Sequence, residues 1–429
     1  MNLLRRRDFL ASAAVTGLTA TGLAGARGDD QGKPLRMGVI GCGWYGMADA
    51  REALKHGGVE VVALCDVDSE HLAKAADEFG KFGGKTPTTY KRYGDLLVAG
   101  GIDALIIATP PHWHALPFIA ALGKGLDIYC EKPLAYDVRE ARAMVDAAAQ
   151  APGRIVQIGF QRRQDLAFRA ARDNIQAGNA GRIVQVEAQI HYQAGLADNT
   201  SQAPPPSLDW DLWCGPGPKI PYSPQVGHMN WRLEKTVGHG HLVDWGIHLI
   251  DVIRWSLGEG TPRTVQAAGG LYEYAGRITT PDVLTAHFEF AKCPVTWRHK
   301  IWGAEEIDPE LNNGVTFYGE KETVFVTDGK WTVAPRGKPK ERRVMTEKGG
   351  SETRHMAEFL DSVRTRKAPS VTPLEAFRST ATVKLAMIAY ETGRKITWDA
   401  AAEQIVGDPE ASKLLKRDYR APYKHPWNG

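Results

Sequence analysis

Three side chains in this 429-residue chain are of types suited to moving a proton on or off a hydroxyl group: Lys132, Asp244 and His248. The spacing of Asp244-Trp245-Gly246-Ile247-His248-Leu249-Ile250-Asp251 predicts a helix over 244–253, with Asp244, His248 and Asp251 on one face. A histidine oriented by a carboxylate titrates near neutrality and can take a hydroxyl proton. The same spacing also describes an ordinary ion pair on a helix surface. Lys132 follows the apolar run Asp127–Cys130 and precedes Pro133, which leaves it either a solvated charge or a donor to a substrate oxygen. His239 and His241 stand just before the helix, as a further base or as loop histidines held by local hydrogen bonds. No cysteine or carboxylate pattern of metal spacing accompanies them, so no metal is expected.

The elements that must position these groups begin with a glycine fingerprint. Strand-like Leu35–Ile40 runs into Gly41-Cys42-Gly43-Trp44-Tyr45-Gly46, followed by a helical stretch from Met47 and a second apolar strand, Val59–Cys65. The first glycine permits a tight turn, the second lets a pyrophosphate approach the backbone, and the third lets helix and strand pack closely. Asp66 ends the second strand, 20 residues after Gly46. A carboxylate there accepts from ribose hydroxyls and repels a 2′-phosphate, which favours NAD over NADP.

Alternation continues through a helix at 69–79, a strand at 104–108, a helix at 114–122, a strand at 127–130, a helix at 138–149 and a strand at 155–158. Strands apolar on both faces, separated by amphipathic helices, predict a doubly wound parallel sheet over 33–158. Ligands bind at the carboxyl ends of such strands, where Thr109-Pro110-Pro111-His112-Trp113-His114 and Glu131-Lys132-Pro133 fall. Beyond Gly159 the grammar changes. Ile183–Tyr192 alternates at period two, as do runs at 283–290, 295–302, 315–317 and 323–326, with Asp328-Gly329 as a hairpin turn before 330–333. The fold class is therefore α/β: a Rossmann sheet followed by an α+β domain with a mostly antiparallel sheet over 159–400, and a tail at 401–429. A proline-rich insertion from Gly195 to Met229 reads either as a wall of the substrate pocket or as a structural arm.

Composition excludes several classes. The chain has 53 Lys plus Arg against 50 Asp plus Glu, a formal charge of +3, with no long run of like charge, which argues against a nucleic-acid binder. Five cysteines, two of them in apolar strands, make no disulfide framework. Arg5-Arg6-Arg7-Asp8-Phe9-Leu10, a weakly apolar stretch and Ala24-Gly25-Ala26 have the layout of a twin-arginine export signal over 1–26. Its apolar part is shorter than the roughly 20 residues of a membrane anchor. Removing it takes three Arg and one Asp, and the formal charge from +3 to +1. The expected location is the periplasm or another extracytoplasmic compartment, reached in folded form through the twin-arginine machinery.

Taken together and in this order, the nucleotide fingerprint, Thr109-Pro110 with His114, Glu131-Lys132-Pro133 and Asp244-x-Gly-x-His248-x-x-Asp251 resemble the glucose-fructose oxidoreductase and inositol dehydrogenase family, Gfo/Idh/MocA. The resemblance implies an NAD-dependent oxidoreductase acting on a secondary alcohol of a sugar or cyclitol. It places Lys132, Asp244 and His248 in catalysis. It puts Gly41, Gly43, Tyr45, Gly46, Asp66, Thr109, His114 and Glu131 on the cofactor side, and Arg163 with His241 toward the substrate. It also implies a homodimer or homotetramer, and closing helices over 356–396. Two other chemistries remain open: a redox-neutral glycosidase with a retained NAD, and a sugar-binding protein without catalysis.

Overall fold

Leu35–Ile40 (β1), Val59–Cys65 (β2), Thr88–Tyr90 (β3), Ala104–Ile107 (β4), Asp127–Cys130 (β5) and Val156–Ile158 (β6) form a parallel sheet in the order β3-β2-β1-β4-β5-β6. The computed structural model describes residues 32–427, and the export signal expected at 1–26 lies outside them. The connecting helices are Trp44–His56 (α1), Ser69–Gly83 (α2), Tyr93–Ala99 (α3), Ala115–Gly123 (α4) and Val138–Ala149 (α5). β1, β4 and β5 are almost wholly buried, because helices cover both faces of the sheet. β3 and α3 were not foreseen: Thr88–Tyr90 is a short edge strand with no apolar run to signal it.

The helix Leu166–Gln176 (α6) leads into a second sheet. Its strands are Ile183–His191 (β7), Thr264–Gly270 (β8), Val283–Glu289 (β9), Pro294–Lys300 (β10), Asn313–Gly319 (β11), Glu322–Thr327 (β12), Lys330–Pro335 (β13), Arg343–Thr346 (β14), Ile396–Asp399 (β15) and Gln404–Ile405 (β16). The order is β14-β13-β12-β11-β7-β10-β9-β8-β15-β16. Every pairing is antiparallel except β7 with β10. One face is apolar, as Leu284, Ala286 and Phe288 show along β9, and the turn at Asp328-Gly329 joins β12 to β13 as expected. Between the sheets and around them lie Trp210–Cys214 (α7), Ile247–Leu257 (α8), Ser351–Thr365 (α9) and Pro373–Thr392 (α10). α10 is buried almost all round, packed between α5 of the first sheet and β8 of the second.

Packing does not follow the boundaries read from sequence. α9 lies against α1, and Met356, Phe359 and Leu360 share an apolar cluster with Met37, Val39 and Ala50. The segment beyond residue 400 is a strap rather than a loose tail. Arg417 and Tyr419 bind Glu140 at the start of α5, and Arg420 binds Asp211 in the insertion. Residues 35–427 belong to one compact unit. Among the described residues no helix is long and apolar enough to cross a membrane, and the five cysteines are buried and free.

Trp297 on β10 is fully buried and fills the space beside Gly246, where a Cβ would meet its ring at 2.8 Å. Replacing it by Ala should cost about 3–5 kcal/mol, read as a lower urea midpoint with an unchanged transition slope.

Candidate active site

The sequence Gly41–Gly46 folds as the turn between β1 and α1. Gly41 has φ of +92°, and a Cβ on it would lie 2.7 Å from the Ala108 carbonyl. On Gly46 a Cβ would fall 1.9 Å from the Gly41 oxygen, so only glycine lets the helix start here. A Cβ on Gly43 would meet nothing within 4 Å, because the middle glycine faces an open cleft. Asp66 fixes the turn from β2: its Oδ2 accepts from the Cys42 N–H at 2.6 Å and its Oδ1 from the Asp68 N–H at 2.9 Å.

Gly41, Gly43 and Asp66 border a cavity of about 480 Å³ that also takes in Tyr45 and Thr109. The Thr109 hydroxyl is buried there without a hydrogen-bond partner. An open cradle at the middle glycine, a strand-end carboxylate and an unpaired hydroxyl fit a dinucleotide, with Gly41, Gly43 and Asp66 as the groups to hold it. His114 is fully buried away from the cavity wall. Its ring nitrogens stand 2.8 Å from the Pro133 oxygen and 2.7 Å from the Thr109 oxygen, so it ties together the loops after β4 and β5.

The insertion from Gly195 is neither a free arm nor a substrate wall alone. Leu208 bridges Asp68, and Leu212, Trp213, His228 and Met229 join Asp66 around the cofactor-side cavity. Trp210 and Trp213 stack with centroids 4.4 Å apart and give the insertion its own small core.

Lys132 meets the second domain at the carboxyl end of β5. Its Nζ donates to the Asp244 carbonyl at 2.5 Å and to Asp244 Oδ1 at 2.9 Å. Arg232 Nε lies 3.0 Å from the other oxygen, Oδ2. Burial pushes the Asp244 carboxyl up, but Lys132 and then Arg232 outweigh it and hold the group below its ordinary range. Arg232 was not anticipated, since it sits in an irregular stretch where no periodicity marks it.

The helix expected over 244–253 is broken. Leu242–Gly246 forms a π turn before α8 begins at Ile247, which changes the angular step between Asp244 and His248. Asp244 is therefore committed to Lys132 and Arg232 and makes no hydrogen bond to His248. Asp251 leaves the site: it accepts from Arg163 at 2.7 and 2.8 Å and from Ser379 at 2.7 Å. Arg163 is correspondingly buried in that pair and in a bond to the Ser370 oxygen, which corrects its expected place beside the substrate.

His248 lies edge-on to Phe160, with centroids 5.9 Å apart, and its Nδ1 has no partner. Burial first, then the charges of Lys132 and Arg162, pull its pKa well below the usual value, so the ring is a neutral acceptor. His241 is buried with both ring nitrogens unpartnered, and burial with His299 nearby also keeps it neutral. His239 turns away to Glu391 at 2.7 Å and Lys384 at 3.1 Å. Trp245 is 40% exposed, with Lys132 Nζ 5.9 Å from its ring, and offers a flat apolar surface beside the charged groups.

Glu131 is a buried supporting group. Gln161 donates to it at 2.8 Å, the Lys132 N–H at 3.2 Å and the Tyr129 hydroxyl at 3.3 Å. Burial outweighs these and the Lys132 charge and pushes its carboxyl up to about 7.

A parallel β3-β2-β1-β4-β5-β6 sheet with this glycine turn, coupled to an open antiparallel sheet that returns an Asp and a His to the strand ends, defines a two-domain dinucleotide-binding protein. Three family models match along the chain: the NAD-binding Rossmann fold of the oxidoreductase family over 35–160, the GFO/IDH/MocA C-terminal domain over 168–324, and the oxidoreductase-family C-terminal alpha/beta domain over 338–425. The chain belongs to the Gfo/Idh/MocA oxidoreductase family, and its first domain is an NAD-binding Rossmann domain. It is 32% identical over 187 residues to inositol 2-dehydrogenase 3 of Saccharopolyspora erythraea, covering 42% of this chain and 54% of that one. It is 29% identical over 245 residues to a glycosyl hydrolase family 109 protein of Stenotrophomonas maltophilia, covering 55% and 52%. The matched region thus spans about half the length of these curated relatives. The fold is similar to that of myo-inositol 2-dehydrogenase from Lactobacillus plantarum, with a TM-score of 0.66 and 23% identity over 85% of this chain and 99% of that one.

The Glu131 shift makes a prediction about pH. A carboxyl whose folded pKa is raised stabilises the protein below its unfolded pKa, near 4.3, and loses that contribution as pH rises through about 7. Glu131→Gln should therefore flatten the fall in unfolding free energy between about pH 4 and pH 7, measured by urea titration at each pH.

Proposed function

We propose that the protein is an NAD-dependent oxidoreductase that interconverts a secondary alcohol of a sugar or cyclitol with the corresponding ketone. The observation that carries the reading is the buried Lys132–Asp244–Arg232 cluster, held where the NAD-binding domain meets the second sheet and beside the unpartnered His248. When bound, NAD supplies the acceptor or donor of hydride. Lys132 Nζ, oriented by Asp244, donates to the substrate oxygen and stabilises the negative charge that grows on it. The neutral His248 imidazole takes the hydroxyl proton as the alcohol becomes a carbonyl. Trp245 offers its face to the apolar side of the ring. The inositol 2-dehydrogenase likeness supports a polyhydroxylated substrate.

A second reading is favoured by the insertion. Leu212, Trp213 and Met229 hem the cofactor cavity, which suits a nicotinamide that stays bound and is regenerated in each turnover. Such a protein is a redox-neutral glycosidase or couples two sugars, and the likeness to a family 109 glycosyl hydrolase supports the former. Retention also suits a protein that leaves the cytoplasm folded through the twin-arginine route, as Arg5–Leu10 suggest, and works in the periplasm as a homodimer or homotetramer.

Lys132→Ala should lower kcat about 100- to 10,000-fold on cyclitols and aldoses, while NAD affinity, read by quenching of tryptophan fluorescence, changes little. Unchanged turnover removes Lys132 from the reaction. Nitrophenolate release from nitrophenyl glycosides, without added NAD and without build-up of reduced nicotinamide, selects the second reading.

A further inference from the structure

We propose that Asp68, His71 and His228 form a zinc site that clasps the insertion to the dinucleotide domain. Asp68 is the N-cap of α2 and His71 lies in its first turn, while His228 comes from the far end of the insertion, 157 residues later in the chain. One ligand atom from each lies within 4.8 Å of the others. Asp68 Oδ2 and His228 Nε2 are 3.3 Å apart, and the two imidazole centroids 4.6 Å apart. A tetrahedral zinc with bonds of about 2.0–2.1 Å has ligand edges of about 3.3 Å, so this pair already has the separation of two ligands on one ion. Two imidazoles and a carboxylate are a zinc donor set; magnesium and calcium take oxygen.

The surroundings favour a cation. The carboxylates of Asp66, Asp68 and Glu70 all act on His228. Lys74 acts on His71 in the opposite sense, while Lys91 on the cavity wall is held by Asp209 at 2.5 Å. Among the described residues His228 is also one of four non-glycine residues at positive φ, +47°, a conformation kept where surrounding structure over-determines it. A second cluster of similar type, Asp137, Glu140 and His425, differs in a decisive way. There the oxygens already accept from Arg417, Tyr419 and the Tyr136 N–H, and no ligand face is left.

The consequence is mechanical. With zinc bound, the insertion is cross-linked to the strand end that carries Asp66, and the cofactor cavity is closed on that side. The inference rests on the geometry of these three residues, not on the reaction assigned above, and its test needs no turnover.

The full chain, with any affinity tag removed, is stripped with EDTA, dialysed against zinc chloride, passed through a desalting column and assayed for metal by mass spectrometry. About one zinc per chain is expected, with at least tenfold weaker retention in His71→Gln and His228→Gln. Cobalt in place of zinc should give the ligand-field bands of a tetrahedral site in the unmodified chain, a readout that does not depend on any variant folding. No retained metal in the unmodified chain, or equal retention in the two glutamine variants, overturns the proposal.

Discussion

A single buried carboxylate, Asp244, holds the two halves of the active region in register. Two cations from different parts of the chain converge on it, Lys132 from a Rossmann strand end and Arg232 from the stretch after the insertion. Removing one partner from such a buried set leaves charge without compensation, a loss of about 3–5 kcal/mol. The cluster therefore ties the dinucleotide domain to the second domain. It keeps the Lys132 side chain aimed across the domain junction. His248 stands just outside this network and is neutral because it is buried, with the charges of Lys132 and Arg162 nearby.

The rest of the architecture serves that junction. α10 is apolar nearly all round because it is wedged between α5 and β8. α9 completes the layer on α1, and the strap ending in Arg417 and Arg420 ties α5 to the insertion. Domains that share helices and straps in this way resist independent motion, since any opening exposes the clusters that join them. The insertion is different in kind. Its core of Trp210, Trp213 and Tyr222 is small and its own, and it rests on the cofactor edge through the pairing of Leu208 with Asp68 and a few side chains.

How far the sequence was legible differs from element to element. β1, β2, β5 and α5 were read to the residue, because buried parallel strands are continuous apolar runs and α5 begins with a capping box at Asp137 and Glu140. β3 and β8 were missed. The first is three half-exposed residues, and the second, Thr264–Gly270, is small and glycine-rich, so neither carries a strong pattern. The helix at 244–253 was placed correctly in the chain but with the wrong pitch. A π turn needs one extra residue accommodated by tertiary packing, here Gly246 against Trp297, and local spacing does not report it.

The sequence by itself determined the dinucleotide turn, the strand-end Asp66 and the presence of Lys132, Asp244 and His248. Each is fixed by local chemistry: a glycine where no Cβ fits, a carboxylate at the end of an apolar run, charged groups beside helix and strand ends. Only the tertiary structure decided which groups face one another. It gave Asp244 to Lys132 and Arg232 rather than to His248, withdrew Arg163 into a pair with Asp251, turned His239 toward Glu391, and brought His228 to Asp68. Apart from Arg232 with Asp244, those pairings join residues roughly 90 to 160 positions apart. They are settled by where whole sheets and helices bury their apolar faces, which spacing along the chain does not encode.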